Sequence, residues 1–195
     1  MIIGITGRSG SGKSYLSEII AKKFDMIHLD IDKISHEVLS FPNTQKFLLN
    51  EFGESVFKNG VLNRKILGNI AFNDKQKLQK LNDFCQHQIE TKLDQIISST
   101  TKSIILDYAL LWKLKQFKIC NIKILLETDF EIRYKRVFQR ENISRDYFEA
   151  RDNSLEEFAD RDYDYIFKNI TDKEIEKLIN TIQLKENLWL GKPLL

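Results

Sequence analysis

The apolar residues of the chain follow two spacings. Short continuous runs, typical of buried strands, occur at five places. Between them lie longer segments in which apolar residues recur every three or four positions, as in a helix that buries one face. Strands that alternate with helices in this way predict an α/β protein with a parallel sheet. The five runs lie at 2–5, 26–32, 103–107, 119–126 and 164–167.

The block from residue 33 to residue 100 departs from this alternation, because it contains few strand patterns and much helical periodicity. Pro42, Gly53 and Asn59-Gly60 mark breaks within it. We expect one helix to begin near Asn63 and a long helix, preceded by Asn73-Asp74, to end near Ser98. We interpret the block as a helical insertion in the α/β core.

A glycine-rich segment follows the first strand directly and has the pattern Gly7-x-x-x-x-Gly12-Lys13-Ser14 of a phosphate-binding loop. Its glycines let backbone N–H groups approach phosphate oxygens. Lys13 would reach the β- and γ-phosphates, and the Ser14 hydroxyl would bind Mg²⁺. The alternative is a glycine-rich turn without a ligand, but the strand before it and the helix after it favour a phosphate site. The residues expected to bind phosphates here are Gly7, Arg8, Ser9, Gly10, Ser11, Gly12, Lys13 and Ser14.

Acidic residues end two further runs. Residues 26–32 are expected to form a strand that ends in Asp30 and Asp32, and 103–107 one that ends in Asp107. Ligands of parallel sheets gather at the carboxyl ends of the strands. Asp32 could accept a proton from an attacking hydroxyl or hold Mg²⁺ through water, and Asp107 has the position of an acid that orients Mg²⁺. Asp30 is equally suited to cap a helix that starts near Lys33.

Basic residues are concentrated in one part of the chain and predict a local cationic surface, which suits a polyanionic small ligand. Arg136 and Arg140 share one face of a helix that Thr128 or Asp129 would cap. Ser144 would cap the next helix, so that two basic helices form a lid able to close over a triphosphate. The alternative is an exposed helix pair with ordinary surface charge. The residues concerned are Arg133, Lys135, Arg136, Arg140, Arg145, Arg151 and Arg161.

Composition limits the partners of the protein. The net charge of +2 is too small to indicate a nucleic-acid partner. Cys85 and Cys120 lie in separate segments without metal-ligand spacing, which favours a reducing compartment over a disulfide framework or a zinc site. No segment approaches the ~20 apolar residues of a membrane span. We therefore expect a cytoplasmic protein, a monomer or weak homo-oligomer, with a small-molecule substrate and neither a nucleic-acid nor a membrane partner.

The order of these patterns over residues 1–170 resembles the dephospho-CoA kinase family. Besides the phosphate loop, residues 29–34 are similar to the acid-x-acid segment of the family, 60–67 to its substrate-contacting arginine helix, and 163–166 to its closing strand. The resemblance implies a three-layer P-loop NTPase sandwich with a parallel sheet, a helical substrate-binding insertion and a helical lid. As a single domain of 195 residues, it would have its core at about 1–32, 101–135 and 160–195, the insertion at about 33–100 and the lid at about 136–159.

The resemblance also implies the reaction, which is transfer of the γ-phosphate of ATP, with Mg²⁺, to the 3′-hydroxyl of dephospho-CoA in the last step of coenzyme A biosynthesis. Asp32 would take the hydroxyl proton, Lys13 would hold the ATP phosphates and Arg140 would balance charge during transfer. Arg136 and Arg140 would bind ATP together with the loop, and Ser14 would bind Mg²⁺, with Asp32 or Asp107 as alternatives. The residues implied for substrate binding are Thr6, Asp32, Arg64, His87 and Leu110; Arg64 would otherwise be a solvated surface group.

Several positions depart from the family pattern without touching the glycines and lysine of the loop or the acid at position 32, so they bear on the substrate more than on phosphate chemistry. They are Arg8 for a common glycine, Gln88 and Ala109 for prolines, Lys113 for a glutamate and Leu155 for a lid glutamine. Two alternatives therefore remain, a uridine-kinase-like enzyme of the same fold and a non-catalytic ATP-binding protein. A GTPase is disfavoured, because the sequence contains neither an Asp-x-x-Gly after the loop nor an Asn-Lys-x-Asp segment.

Overall fold

A computed structural model describes residues 1–153 and 162–189 of the chain. It divides into two compact units, the first comprising residues 1–30 and 101–195 and the second residues 31–100. In chain order the strands are β1 (Ile2–Gly7), β2 (Ile27–Asp30), β3 (Phe57–Lys58), β4 (Val61–Leu62), β5 (Ile104–Asp107), β6 (Ile122–Glu127) and β7 (Tyr165–Lys168). The helices are α1 (Lys13–Phe24), α2 (Ile31–Val38), α3 (Pro42–Phe52), α4 (Arg64–Phe72), α5 (Lys75–Ser98), α6 (Phe130–Glu141), α7 (Arg145–Asn153) and α8 (Asp172–Trp189).

The first unit is built on a five-stranded sheet in the order β2-β5-β1-β6-β7. Every pairing in this sheet is parallel, which confirms the α/β fold expected from the alternating pattern. The register places Ile5 of β1 opposite Asp107 of β5, and Asp107 opposite Asp30 of β2. The ends of these three strands therefore lie side by side at the edge of the sheet from which the phosphate loop emerges.

The core of the first unit lies between the sheet and helices α1 and α8. Ile3 and Ile5 of β1, Leu16 and Ile20 of α1 and Ile182 of α8 are all fully buried. Burying each such side chain contributes about 1.5–3 kcal/mol of hydrophobic free energy. These contacts fix the strand before the phosphate loop and the helix after it, and so hold both ends of the loop.

The sequence Thr171-Asp172-Lys173-Glu174 has the pattern of a capping box, and the structure contains one at the start of α8. The Glu174 carboxylate accepts hydrogen bonds from the backbone N–H and the hydroxyl of Thr171, each at 2.8 Å. The Glu174 backbone N–H donates in return to Thr171 Oγ1 at 3.4 Å. This reciprocal pair satisfies N–H groups that the first turn of a helix leaves without partners.

The second unit consists of helices α2 to α5 and the short hairpin β3–β4, whose strands the sequence did not predict. The hairpin turns at Asn59 and Gly60, which have φ of 53° and 75° and therefore fit a turn that needs positive φ at both central positions. As expected, the Asp74 side chain caps α5, which begins at Lys75 and ends at Ser98. The core of this unit comprises Leu48, Phe52, Val56, Leu67 and Ala71.

The expected end of the second strand is wrong. Strand β2 ends at Asp30, where its pairing with β5 ends, and α2 begins at Ile31 instead of near Lys33. Asp32 therefore lies in the first turn of a helix and not at the end of a strand. The apolar run was misleading because Ile31, which continues it, is buried as part of the helix.

The segment after β6 differs in part from expectation: Asp129, one of the two predicted caps, lies at the N-cap position of helix α6, but its side chain makes no capping hydrogen bond. Thr128 Oγ1 donates to the Ser11 carbonyl at 3.1 Å, and the Asp129 carboxylate accepts from Asn169 Nδ2 at 2.9 Å. Both side chains are thus used in longer-range contacts.

Within residues 1–153 and 162–189, no helix combines the length and the apolar character that crossing a membrane requires.

Candidate functional site

The loop between β1 and α1 needs its glycines for two different reasons. Gly7, Gly10 and Gly12 have φ of 146°, 80° and 100°, which L side chains rarely adopt. A Cβ atom at Gly7 would lie 2.3 Å from the Leu126 carbonyl oxygen, and one at Gly10 would lie 2.7 Å from that of Arg133. Two of the glycines thus allow β6 and α6 to approach the loop closely, and the third is required by its φ.

The loop also presents groups that fit a bound phosphate. The N-cap residue of α1 is Gly12, which has no side chain to cap the helix. Backbone N–H groups in the first turn therefore suit a phosphate as their hydrogen-bond acceptor. Lys13 is only 9% exposed, and its Nζ lies 3.4 Å from the Arg8 carbonyl oxygen, so the ammonium group folds back over the loop. Ser11 Oγ is buried without a hydrogen-bond partner among the described residues. Ser14 is exposed in the first turn.

Asp107 lies at the edge of the sheet beside the loop and is almost fully buried. His28 Nε2 is 3.3 Å from its Oδ2 atom, within reach of a hydrogen bond. Sequence reasoning missed His28, because the pairing of β2 with β5 that brings the two side chains together is not visible in a local pattern. The structure thus gives Asp107 a protein partner at this edge.

Thr6 contacts the segment that follows β5, at the residue before Leu110. Thr6 is 1% exposed, and its hydroxyl donates to the Ala109 carbonyl at 3.0 Å. Leu110, half-buried, precedes the 3₁₀ turn at 111–113. Thr6 therefore fixes the path of the chain at the position where an alanine replaces the proline of the family pattern.

Of the two arginines predicted on α6, only Arg136 has a hydrogen bond to the loop. Its Nη1 atom donates to the Gly10 carbonyl at 3.0 Å and lies 3.7 Å from where a Cβ at Gly12 would be. Arg140, one turn later, instead pairs with the neighbouring Glu141, with its Nε 3.0 Å from Glu141 Oε1.

A second arginine with a hydrogen bond to the loop, Arg151, was expected only as part of a cationic surface. Its Nη2 donates to Ser9 Oγ at 3.0 Å and its Nη1 to Glu141 Oε2, also at 3.0 Å. Burial raises the pKa of Glu141, but hydrogen bonds and charge from Arg140 and Arg151 outweigh it, so the pKa lies below its ordinary value. Glu141 thus stays ionised and pairs with both Arg140 and Arg151, of which Arg151 also contacts the loop.

The predicted cationic surface is wrong for Arg133, which is buried with its guanidinium paired to Asp152. The sequence offered one sign of this, because Arg133 lies four positions before the buried Val137 and so shares its helix face. Arg145 is exposed and pairs with Glu131. Two residues named from the sequence, Leu155 and Arg161, lie outside the described residues.

The remaining predicted residues belong to the second unit. Asp32 is exposed in the first turn of α2, and His87 is exposed on α5. Arg64 begins α4, and its Nη2 atom donates to the His36 carbonyl at 3.2 Å. It also lines a cleft of about 350 Å³. The other residues of that cleft are Leu39, Ser40, Gln45, Gly60, Val61 and Leu62.

Comparison with known proteins places this geometry in context. The family model described as dephospho-CoA kinase matches residues 1–181. A protein of Fusobacterium nucleatum named dephospho-CoA kinase is 33% identical over 151 residues, which is 76% of this chain and 78% of the relative. A solved structure from Thermus thermophilus superposes with a TM-score of 0.80 at 24% identity, covering 95% of this chain and 97% of the other. The dephospho-CoA kinase of Campylobacter jejuni gives 0.64 at 24% identity, covering 97% and 98%.

Proposed function

Because the chain belongs to the dephospho-CoA kinase family, we propose that it transfers the γ-phosphate of ATP to the 3′-hydroxyl of dephospho-CoA. The products are CoA and ADP, in the last step of coenzyme A biosynthesis. The observation that carries this proposal is the family match over residues 1–181, which includes the phosphate loop and all of residues 31–100. The loop alone would equally suit a uridine-kinase-like enzyme, so the identity of the acceptor depends on that match.

The phosphates of ATP are assigned to residues 7–14. The nearly buried Lys13, the unpartnered Ser11 hydroxyl and the uncapped start of α1 all suit an anion at this place. Arg136, already on the loop, is assigned to the same phosphates. Arg140 is assigned to balance charge during transfer, since phosphoryl transfer requires mainly positioning and charge neutralisation from the protein.

Mg²⁺ is assigned to Ser14, whose exposed hydroxyl stands next to Lys13 at the start of α1. When bound, the ion neutralises negative charge on the phosphate oxygens. Asp107 is the alternative position in the first unit, where it is buried beside His28 at the edge of the sheet. Asp32 is the alternative in the second unit.

The acceptor is assigned to Asp32, Arg64 and His87 in the helical unit and to Thr6 and Leu110 in the first. Asp32 is the proposed base, because its exposed carboxylate is accessible to a substrate hydroxyl and a carboxylate can take the proton as the oxygen attacks. Arg64 lines the cleft of the helical unit, which suits a phosphate-bearing acceptor. Thr6 contributes by holding the segment that leads to Leu110.

Three further features belong to the same proposal. Residues 136–159 act as a lid, of which 154–159 lie outside the described residues. The protein works as a monomer or a weak homo-oligomer. It resides in the cytoplasm, for which the free thiols of Cys85 and Cys120 are the support, since a reducing compartment keeps thiols unpaired.

The test is ADP release by the purified protein with ATP and Mg²⁺, in the presence and absence of dephospho-CoA and with a panel of nucleosides. We expect release that depends on dephospho-CoA. Release with a nucleoside instead would contradict the acceptor, and ATP binding without release for any acceptor would favour a non-catalytic protein.

Two variants test the assignment of the base. Asp32→Asn should lower turnover by at least about 100-fold, the usual contribution of a general base. Asp30→Asn, two positions earlier, is the matched control and should retain most of the turnover. Unaltered turnover in Asp32→Asn would remove Asp32 as the base, and loss in the control alone would give that role to Asp30.

A further inference from the structure

Asp152, in the last turn of α7, forms a buried ion pair that no sequence pattern indicated. Its carboxylate oxygens accept from Arg133 Nη1 at 2.6 Å and Nη2 at 2.8 Å. Asp152 is 8% exposed and Arg133 is 5% exposed, so this two-point ion pair is buried. Paired and charge-assisted hydrogen bonds of this kind fix both distance and orientation. They join α7 to α6.

Arg133 in turn lies directly against the phosphate loop. Its carbonyl oxygen is the atom that a Cβ at Gly10 would meet at 2.7 Å. Its Nε donates to the Thr128 carbonyl at 2.8 Å, and the Thr128 hydroxyl donates to the Ser11 carbonyl at 3.1 Å. One member of the buried ion pair, Arg133, therefore packs against the loop through its own backbone.

A second connection runs from the loop itself to Asp152. Arg8 Nη1 donates to the Asp152 carbonyl at 2.6 Å and lies 3.5 Å from its Oδ1 atom. Carbonyls in the last turn of a helix have no partner within the helix, and a cation is favoured there. Arg8 therefore completes the end of α7 while it remains part of the loop.

The charge on Asp152 persists at neutral pH. Burial raises the pKa of its carboxyl, but the hydrogen bonds and charge of Arg133, together with the charge of Arg8, outweigh burial and bring the pKa below its ordinary value. An anion held between two cations in this way cannot be removed without leaving a buried positive charge unpaired.

We propose that Asp152 is a positioning residue for the phosphate loop, acting through Arg8 and Arg133 to hold the loop in the conformation that binds the phosphates of ATP. The proposal rests on the assignment of the loop to ATP and is independent of the acceptor. Arg151, the residue before Asp152, also contacts the loop, because its Nη2 atom donates a hydrogen bond to Ser9 Oγ. An ion pair that only stabilised the fold would not act through Arg8.

The test is a double-mutant cycle on ATP affinity, measured by calorimetry without any acceptor. Asp152→Asn removes the carboxylate that faces both arginines, and Arg8→Met removes one of those two partners. Each should weaken ATP binding about 10-fold, and the double variant should lose clearly less than the product of the two, because both changes affect the shared contact between Arg8 and Asp152. Independent effects would multiply to about 100-fold and would overturn the proposal. Unchanged affinity in Arg8→Met would overturn it as well; that variant should fold, since the Arg8 side chain is 25% exposed.

Glu131→Gln supplies the matched control. It removes an exposed ion pair between Glu131 of α6 and Arg145 of α7, the same two helices, without touching the loop. We expect less than about a twofold change in ATP affinity, as for most exposed pairs. A loss as large as that of Asp152→Asn would show that any link between the helices suffices, and would overturn a specific role for Asp152.

A second readout needs no nucleotide. In the free protein, hydrogen exchange of the amides at 8–12 should accelerate in Asp152→Asn and in Arg8→Met but not in Glu131→Gln. A lower melting temperature with unchanged loop exchange and ATP affinity would reduce the pair to a structural role. ATP binding without phosphorylation of dephospho-CoA would refute the proposed function and leave this proposal intact, whereas a protein that bound no ATP would refute both.

Discussion

Substitution of Gly10 by alanine tests whether the phosphate loop and α6 are packed as closely as the structure shows. The new Cβ would lie 2.7 Å from the Arg133 carbonyl oxygen and 3.0 Å from its Cα atom. Both are backbone atoms and cannot rotate away. Residue 10 also has φ of 80°, so alanine would be strained there even in open space.

The two costs can be estimated separately. A left-handed conformation costs an L residue about 1–2 kcal/mol, and forcing an extra carbon into a packed site costs about 1–3 kcal/mol. Gly10→Ala should therefore lower the free energy of unfolding by about 2–5 kcal/mol. Gly12→Ala is the matched control, because its φ is 100° but, among the described residues, its Cβ would meet only Arg136 Nη1 within 4 Å, at 3.7 Å. It should lose only the first part, about 1–2 kcal/mol.

The assay is urea unfolding of the nucleotide-free protein followed by tryptophan fluorescence. Trp112 and Trp189 are the two tryptophans of the chain and both belong to the first unit, so the signal reports on the unit that carries the loop. With an m value of about 2–3 kcal/mol per molar urea, Gly10→Ala should lower the midpoint by roughly 1–2 M. Equal losses for the two variants would refute the close approach of α6 to the loop.

Two further predictions concern ionisation. The folded-state pKa of Asp152 is lowered, so its charge should stabilise the protein fully above the unfolded-state pKa of about 3.9, and this stabilisation should be lost as the pH falls through the folded-state value. The free energy of unfolding at pH 2–5 should therefore depend on pH less in Asp152→Asn than in the wild type. Equal slopes of the free energy against pH would contradict this. Burial raises the pKa of Cys85 to about 11 and that of Cys120 to about 12. A thiol reagent at pH 8 should thus label either cysteine at least about 100-fold more slowly in the native than in the unfolded protein, and rapid native labelling would contradict burial.

The elements that sequence patterns predicted well are those whose cause is local. Thr171 and Glu174 lie three residues apart and cap α8 as expected, and Asp74 caps α5. The strand, glycine-rich loop and helix at the N-terminus follow one another within 24 residues. Each of these features is decided by neighbours in the chain, which is why periodicity and capping rules suffice.

Predictions that depended on distant partners were less secure. The boundary at Ile31 failed because an apolar residue suits a strand and a buried helix equally. Arg133 was assigned to the surface because arginine is mostly exposed, and only the pairing with Asp152 makes its burial favourable. The partner of Asp107, His28, became visible only with the strand order.

The phosphate loop combines both cases, because its motif is local but its shape is not. The contacts of the loop with Thr128, Arg136 and Asp152 span 117, 126 and 144 residues of sequence. The motif therefore specifies which residues can bind phosphate, and packing against β6, α6 and α7 determines the conformation in which they do so. On the proposal made above, a variant that preserves every residue of the motif can still lose phosphate binding, since a change at Asp152 acts on the conformation of the loop and leaves its sequence unchanged.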